Sequence, residues 1–198
     1  MNKPYSESCD QNRDPILSII QPLLTPFKRV LEIGSGTGQH AVFFAKKMPH
    51  LDWQTSDRDQ YHQGIQQWID DAKLPNLQNP LSLDVLKDKW MDQQYDAVFT
   101  ANTLHIMHHE DVQALFENIE SVLNADGLMI VYGPFNYDGH YSSESNARFD
   151  HWLKNNDPKS SIKDFEWVNT LANKAGLVLQ DDYEMPANNR ILCWKKTS

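Results

Sequence analysis

Residues 29–38 read Arg29-Val30-Leu31-Glu32-Ile33-Gly34-Ser35-Gly36-Thr37-Gly38, an apolar run that stops at three alternating glycines. A short apolar run without alternation is the pattern of a strand buried on both faces. Glycines permit a tight turn and let a ligand approach the backbone closely. A helical pattern follows from about His40 to Met48, and Pro49 ends it. Strand, glycine loop and helix in that order predict the first βα unit of a parallel sheet.

The same rhythm continues on either side. Asp14 before Pro15 predicts a helix start, with Ile16, Ile19, Ile20, Leu23 and Leu24 at helical spacing up to Pro26. Downstream, strands are expected at Asp52–Ser56, Pro80–Leu83, Asp96–Thr100 and Leu128–Tyr132. A Gln-rich helix reaches toward Lys73, and an amphipathic helix runs from Glu110 to Leu123. Residues 124–127 read as the turn into the fifth strand. Residues 133–160 are polar and aromatic, long for a connection, and predict an insertion or lid with a helix around Asn146–Lys154. A helix near Lys163–Ala175 and strands at Leu177–Tyr183 and Arg190–Trp194 close the chain, the last two as an edge hairpin. The expected fold is α/β: a Rossmann-like, doubly wound, mostly parallel seven-stranded sheet with an antiparallel C-terminal edge hairpin. One domain over 1–198 is expected, with an N-terminal helical segment at 1–27.

Bulk properties narrow the partners. A net charge of −9, with no Lys/Arg cluster longer than a pair, disfavours nucleic acid. No apolar stretch is long enough to cross a bilayer, and the polar N-terminus lacks the apolar centre of a secretory signal, so a cytoplasmic location is expected. Cys9 and Cys193 lie near opposite ends of the chain without metal-ligand spacing, and read as reduced thiols. No metal is expected. Oligomeric state is left open.

The spacing of the glycines bears on the cofactor. A dinucleotide fingerprint would be G-x-G-x-x-G, but the third glycine comes one residue early and Gln39 occupies the expected place. Glu32 just before the loop suits a cationic ligand better than a diphosphate, which favours S-adenosyl-L-methionine. Asp57, about 20 residues beyond the loop, is placed to accept ribose hydroxyls, with Arg58 beside it. Asp84, followed by Val85, reads either as acceptor for an adenine amino group or as a cap for the segment before Trp90. The expected cofactor set is Glu32, Gly34, Ser35, Gly36, Gly38, Asp57, Arg58, Asp84, Val85 and Asn102. The competing reading of the loop is a ligand-free turn.

Asn102 and His105 follow the fourth strand, on the side where open α/β sheets bind ligands. His105 reads as a general base or as pocket lining, while His108 and His109 are expected in a solvated loop. For the acceptor side the candidates are Asn12, Arg13, Tyr132, Phe135, Tyr137, His140 and Asn146, with core packing as the alternative for the aromatics. His105, Tyr132 and Asn12 are the catalytic candidates. Met185–Asn189 reads as a hairpin turn that also holds the insertion over the site.

With the loop, Asp57 and Asp84 in place, the chain resembles class I S-adenosylmethionine-dependent methyltransferases. It is similar, over nearly its whole length, to the uncharacterised methyltransferase-like proteins of domain-of-unknown-function family 938. That resemblance is carried by Gln11–Leu17, Ser35–His40, Trp53–Asp57, Tyr132–Phe135, Ser145–Asp150 and Met185–Asn189. Members often carry Ala-Glu/Asp-Arg-Asn where this chain has Cys9-Asp10-Gln11-Asn12. The resemblance implies the fold and the cofactor, but no substrate; methyl transfer to a small-molecule or protein acceptor is the leading expectation. Two rivals are a non-catalytic cofactor-binding module and a nicotinamide-dependent oxidoreductase.

Overall fold

The computed structural model describes residues 3–197; the outermost residues of the expected 1–198 domain lie outside them. Helix α1 (Glu7–Leu24) leads into strand β1 (Arg29–Ile33), followed by α2 (Gln39–Lys47), β2 (Asp52–Asp57), α3 (Asp59–Ala72) and β3 (Leu77–Ser82). Then come β4 (Tyr95–Ala101), α4 (His109–Val122) and β5 (Leu123–Gly133). The segment after β5 holds β6 (Phe135–Asn136), α5 (Glu144–Asn156) and β7 (Lys163–Asp164). The chain ends with α6 (Phe165–Lys174), β8 (Leu177–Met185), a 3-10 turn (Pro186–Asn188) and β9 (Asn189–Lys196).

Seven strands form one sheet in the order β3-β2-β1-β4-β5-β9-β8, with β6 and β7 as a separate parallel pair. The first five pair in parallel, whereas β9 runs antiparallel to both β5 and β8. The expected sheet and its edge hairpin are therefore present. Successive side chains of a strand point to opposite faces, so β1 and β4 each supply two cores. On one face Val30, Ala97 and Phe99 meet Ile16 and Ile20 of α1, Phe44 of α2 and Ile65 of α3. Phe44, Trp53 and Phe99 pack there with ring centroids 5.5–5.8 Å apart. On the other face Leu31 and Val98 meet Leu115 and Ile119 of α4 and Val168 of α6.

Three boundaries differ from expectation for identifiable reasons. Helix α1 begins at Glu7, well before Asp14, and carries Pro15 inside it. The first turns gain Glu7 and Asp10 at the positive end of the dipole and tertiary bonds to α2, which outweigh the missing Pro15 N–H. Strand β3 starts at Leu77; it lies at the sheet edge, where Pro80 and polar residues are tolerated. Residues 124–127 are not a turn before β5 but a register shift within it, with Asp126 at φ 62°. Among the described residues no helix is long and apolar enough to cross a membrane, and both cysteines are free.

Candidate functional site

Strand order reverses between β1 and β4, and a crevice opens beyond the carboxyl ends of strands at such a point. A cavity of about 1130 Å³ occupies it. It is bounded by the glycine loop, the ends of β2, β4 and β5, the start of α1, the start of α5 and the turn between β8 and β9. That volume is at the upper end for ligand pockets and leaves room for a cofactor and a second molecule.

Each glycine of the loop has a distinct reason to be glycine. Gly34, Gly36 and Gly38 all have positive φ (72°, 59° and 89°). A Cβ on Gly34 would stand 2.8 Å from Thr103 Cγ2, and one on Gly38 would press on Ile65 and Trp68 of α3 at 3.2–3.3 Å. A Cβ on Gly36 would meet nothing within 4 Å, because that side is the cavity. Four of the five loop amides are already engaged: Gly34 N–H and Ser35 N–H donate to Ser56 O at 3.0 Å, Gly36 N–H to Asp57 Oδ2 at 2.8 Å, and Gly38 N–H to Ser35 O at 2.9 Å. Donors committed in this way cannot also cradle a diphosphate.

Asp57 is held by two backbone donors, Gly36 N–H and Arg58 N–H, both at 2.8 Å. Each carboxylate oxygen keeps acceptor capacity toward the cavity it lines. Burial pushes its pKa up, against the opposing pull of those two N–H groups. Behind the loop, Glu32 accepts from Ser35 Oγ at 3.0 Å and Trp53 Nε1 at 3.2 Å. Burial pushes Glu32 up to about 7, with the two donors opposing and the Asp57 charge adding. A fixed acceptor, Asp57, facing the cavity beside an empty-sided glycine suits a ligand carrying hydroxyls.

Of the remaining expected cofactor residues, Ser35, Arg58, Asp84, Val85 and Asn102 line the cavity. Asp84 also accepts from Leu86 N–H at 3.2 Å and Lys87 Nζ at 3.0 Å, so it caps its own turn while facing the site. Asn102 takes φ 57° and donates its N–H to Tyr132 O at 2.9 Å. Glu32 and Gly38 do not line the cavity: one stands behind the loop, the other packs α2 on α3.

The acceptor candidates divide. Asn12, His105, Tyr132 and Asn146 line the cavity. Arg13 does not; it turns to Asp10 and lies over the Phe43 ring at 4.9 Å, because its position on α1 points it at α2. Phe135 is core, 1% exposed, and Tyr137 stacks on Phe165 with its hydroxyl donating to Asp182 Oδ2 at 2.8 Å. His140 is an exposed loop residue bonded to Asp138 O. His109 rests on Trp167, but His108, expected in solvent, lines the cavity and bonds to Asp157 Oδ2 at 2.7 Å. His105 meets the edge of Phe149 at 5.2 Å, and burial holds its pKa down near 4, so it is a neutral imidazole at physiological pH.

Several lining residues had no foreseen role. Ser6, Cys9 and Gln11 reach the cavity because α1 extends upstream of Asp14. His40, Phe149, Pro186 and Ala187 also line it, and all four fall within the stretches that carry the family resemblance. The turn does clasp the insertion: Asn146 Nδ2 donates to Asn188 O, and Asn188 Nδ2 to Ser145 Oγ, both at 3.1 Å.

The model of a family described as "Protein of unknown function (DUF938)" matches residues 3–196. Among solved structures, the chain is similar to the S-adenosylmethionine-dependent methyltransferase SibL in its apo form, with TM-score 0.81 and 20% identity over 96% of this chain and 56% of that one. Human N-acetylserotonin methyltransferase in complex with SAM gives 0.80 and 16% over 97% and 53%. Mitomycin 7-O-methyltransferase MmcR gives 0.82 and 14% over 96% and 54%. The chain thus spans little more than half the length of each, and at these identities the likeness is one of fold. The chain has the fold of the S-adenosylmethionine-dependent methyltransferases and belongs to the family of proteins of unknown function DUF938.

Proposed function

We propose that the chain is an S-adenosylmethionine-dependent methyltransferase acting on a small-molecule acceptor. The observation that carries this reading is the pairing of Gly36, whose open side faces the cavity, with Asp57, whose carboxylate is fixed to the Gly36 amide at 2.8 Å. In that position Asp57 has lone pairs to accept both hydroxyls of a ribose, while Asp84 and Val85 flank the space beyond it. S-adenosylmethionine supplies a methyl carbon already activated by a sulfonium. The chain's own residues then have to hold, orient and keep out water, and well-oriented reactants alone can contribute roughly 7–11 kcal/mol to such a reaction. His105, neutral and facing the cavity, has a ring nitrogen that can hydrogen-bond an acceptor, but burial makes it a weak base, so its part is lining and orientation rather than proton removal. The committed loop amides speak against a nicotinamide dinucleotide.

Calorimetry with S-adenosylmethionine and S-adenosylhomocysteine tests the reading. The expected result is micromolar-class binding of both that falls about 10–100-fold in Asp57→Ala, the range for loss of hydrogen bonds to a charged group. Stabilisation by a nicotinamide dinucleotide but not by S-adenosylmethionine overturns it. Binding without methyl transfer to any member of a metabolite pool favours the non-catalytic module instead.

A further inference from the structure

Gln39 stands where a dinucleotide loop would carry its last glycine, yet its side chain does not reach the cavity. It is 5% exposed, and its amide holds two segments together. Gln39 Oε1 accepts from Ser6 N–H and, at 3.1 Å, from Thr37 Oγ1, while Nε2 donates to Ser6 O at 3.2 Å. One side chain thus ties the glycine loop, through Thr37, to both backbone groups of the residue just ahead of α1. Thr37 and Ser6 both line the cavity.

The segment so held runs back along α3. Trp68 Nε1 donates to Pro4 O at 2.7 Å, and Lys3 Nζ meets Asp71 Oδ2 at 2.7 Å while lying 3.8 Å over the Trp68 ring. Pro4 rests on Gly64, where an added Cβ would stand 2.6 Å from Pro4 Cγ. From Ser6 the chain enters α1, whose residues Ser8, Cys9 and Asn12 line the cavity. Asn12 Oδ1 lies 2.7 Å from His40 Nε2 of α2.

These attachments differ in kind from those of the rest of α1. Ile16, Ile20 and Leu24 are 0% exposed and fix the helix to the sheet, whereas none of residues 3–14 is buried. Pro15, at the boundary, has no N–H to give the carbonyl four residues back, and its ring crowds that carbonyl. A stretch with polar clasps, no buried apolar anchor and a helix fault at its base belongs to the low-stability end of a fold, from which moving elements are drawn.

We propose that residues 3–14 are a strap, hinged at Pro15, that closes over the ligand held by the glycine loop, and that Gln39 is the positioning residue that latches strap to loop. Ligand enters and leaves as the strap lifts. The choice of S-adenosylhomocysteine as probe rests on the methyltransferase reading; the motion of the strap does not.

Two variants open the latch by different routes. Gln39→Ala removes the clasp. Gly64→Ala pushes against the rigid Pro4 ring while placing a better helix former inside α3, so a loss of folding cannot imitate a lifted strap. Surface plasmon resonance on the full chain follows S-adenosylhomocysteine, and dithiodipyridine reports on the Cys9 thiol, since Cys193 is 1% exposed. Both variants are expected to release S-adenosylhomocysteine about tenfold faster, as the loss of one or two neutral hydrogen bonds allows, with association no slower. Gly64→Ala should melt no lower than the wild type. Cys9 should react several-fold faster in both free variants and be shielded by S-adenosylhomocysteine in the wild type. Release unchanged in either variant overturns the proposal, because the ligand then passes elsewhere; slower association at unchanged release does so too, because the strap is then a fixed wall. If S-adenosylhomocysteine does not bind at all, the cofactor reading falls and Cys9 alone decides: faster reaction in both variants supports the strap, and unchanged reaction overturns it.

Discussion

Two glycines only two residues apart in the same loop separate folding from binding. Gly34 and Gly36 both adopt positive φ, so alanine at either costs on the order of 1 kcal/mol in backbone strain. Beyond that they diverge. At Gly34 the added methyl stands 2.8 Å from Thr103 Cγ2 and 2.9 Å from its Oγ1, and a β-branched side chain has few rotamers in which to retreat. At Gly36 the methyl enters the cavity unopposed. Gly34→Ala is therefore expected to lose roughly 2–4 kcal/mol of stability, strain plus overpacking, read as a drop in the urea midpoint. Gly36→Ala should lose only about 1 kcal/mol yet bind S-adenosylmethionine at least tenfold more weakly. Equal stability losses in the two variants would show that the methyl at 36 meets protein rather than ligand space.

At the scale of elements, the position of α5 over the cavity depends on one buried carboxylate. Asp150, 1% exposed, accepts from Ile162 N–H at 2.7 Å, Tyr141 Oη–H at 2.7 Å and Lys154 Nζ at 2.6 Å. It thus ties the helix to the segments before and after it. Asp150→Ala leaves the Ile162 amide without its acceptor and should cost roughly 2–4 kcal/mol, since an orphaned buried donor carries its full desolvation penalty. Amide exchange should quicken across 141–163 and stay unchanged in β1 and β4; uniform quickening would mean that α5 is not a separable element. How far such elements were legible beforehand follows from periodicity. The strands β1 and β4 announce themselves as apolar runs, and the edge hairpin as two β-rich runs around Met185–Asn189. The upstream half of α1 does not: its residues are polar, Pro15 reads as a start, and what keeps Glu7–Asp14 helical is contact with α2. The site divides in the same way. Gly36 and Asp57 are legible because glycine chemistry and strand-to-loop spacing are local. The exclusion of Arg13, Phe135 and Tyr137 from the cavity is not, because a side chain's direction depends on elements far away in sequence.

Taken whole, the molecule buries ionisable groups around its cavity in a way that makes stability depend on pH in two opposed senses. His40 and His105 have folded pKa values near 4, below the ordinary 6.5. Between those values the unfolded chain binds protons that the folded one refuses, so these two residues make stability rise with pH. Glu32 does the reverse. Its folded pKa is about 7 against an ordinary 4.5, so the folded chain holds a proton that the unfolded chain releases, and stability falls as pH rises across that interval. Lys163, lowered to about 8 by burial, titrates above this window. Replacing Glu32 by Gln keeps the shape and an acceptor for Ser35 and Trp53 but removes the titration. Relative to the wild type, Glu32→Gln should therefore gain roughly 3 kcal/mol between pH 4.5 and 7.5, whatever its offset at the lower pH, because each pKa unit corresponds to about 1.4 kcal/mol. The same proton links folding to binding: a cationic ligand in the cavity favours the ionised forms of Asp57, which lines it, and of Glu32 just behind the loop. Binding of S-adenosylmethionine at pH 6.5 should then release a proton, seen as a dependence of the calorimetric heat on the buffer's ionisation enthalpy. That dependence should shrink in Glu32→Gln. Denaturant melts of both proteins at pH 5 and pH 7.5 decide the first point, and a stability difference that stays constant between them would mean that Glu32 is ionised throughout in the folded chain.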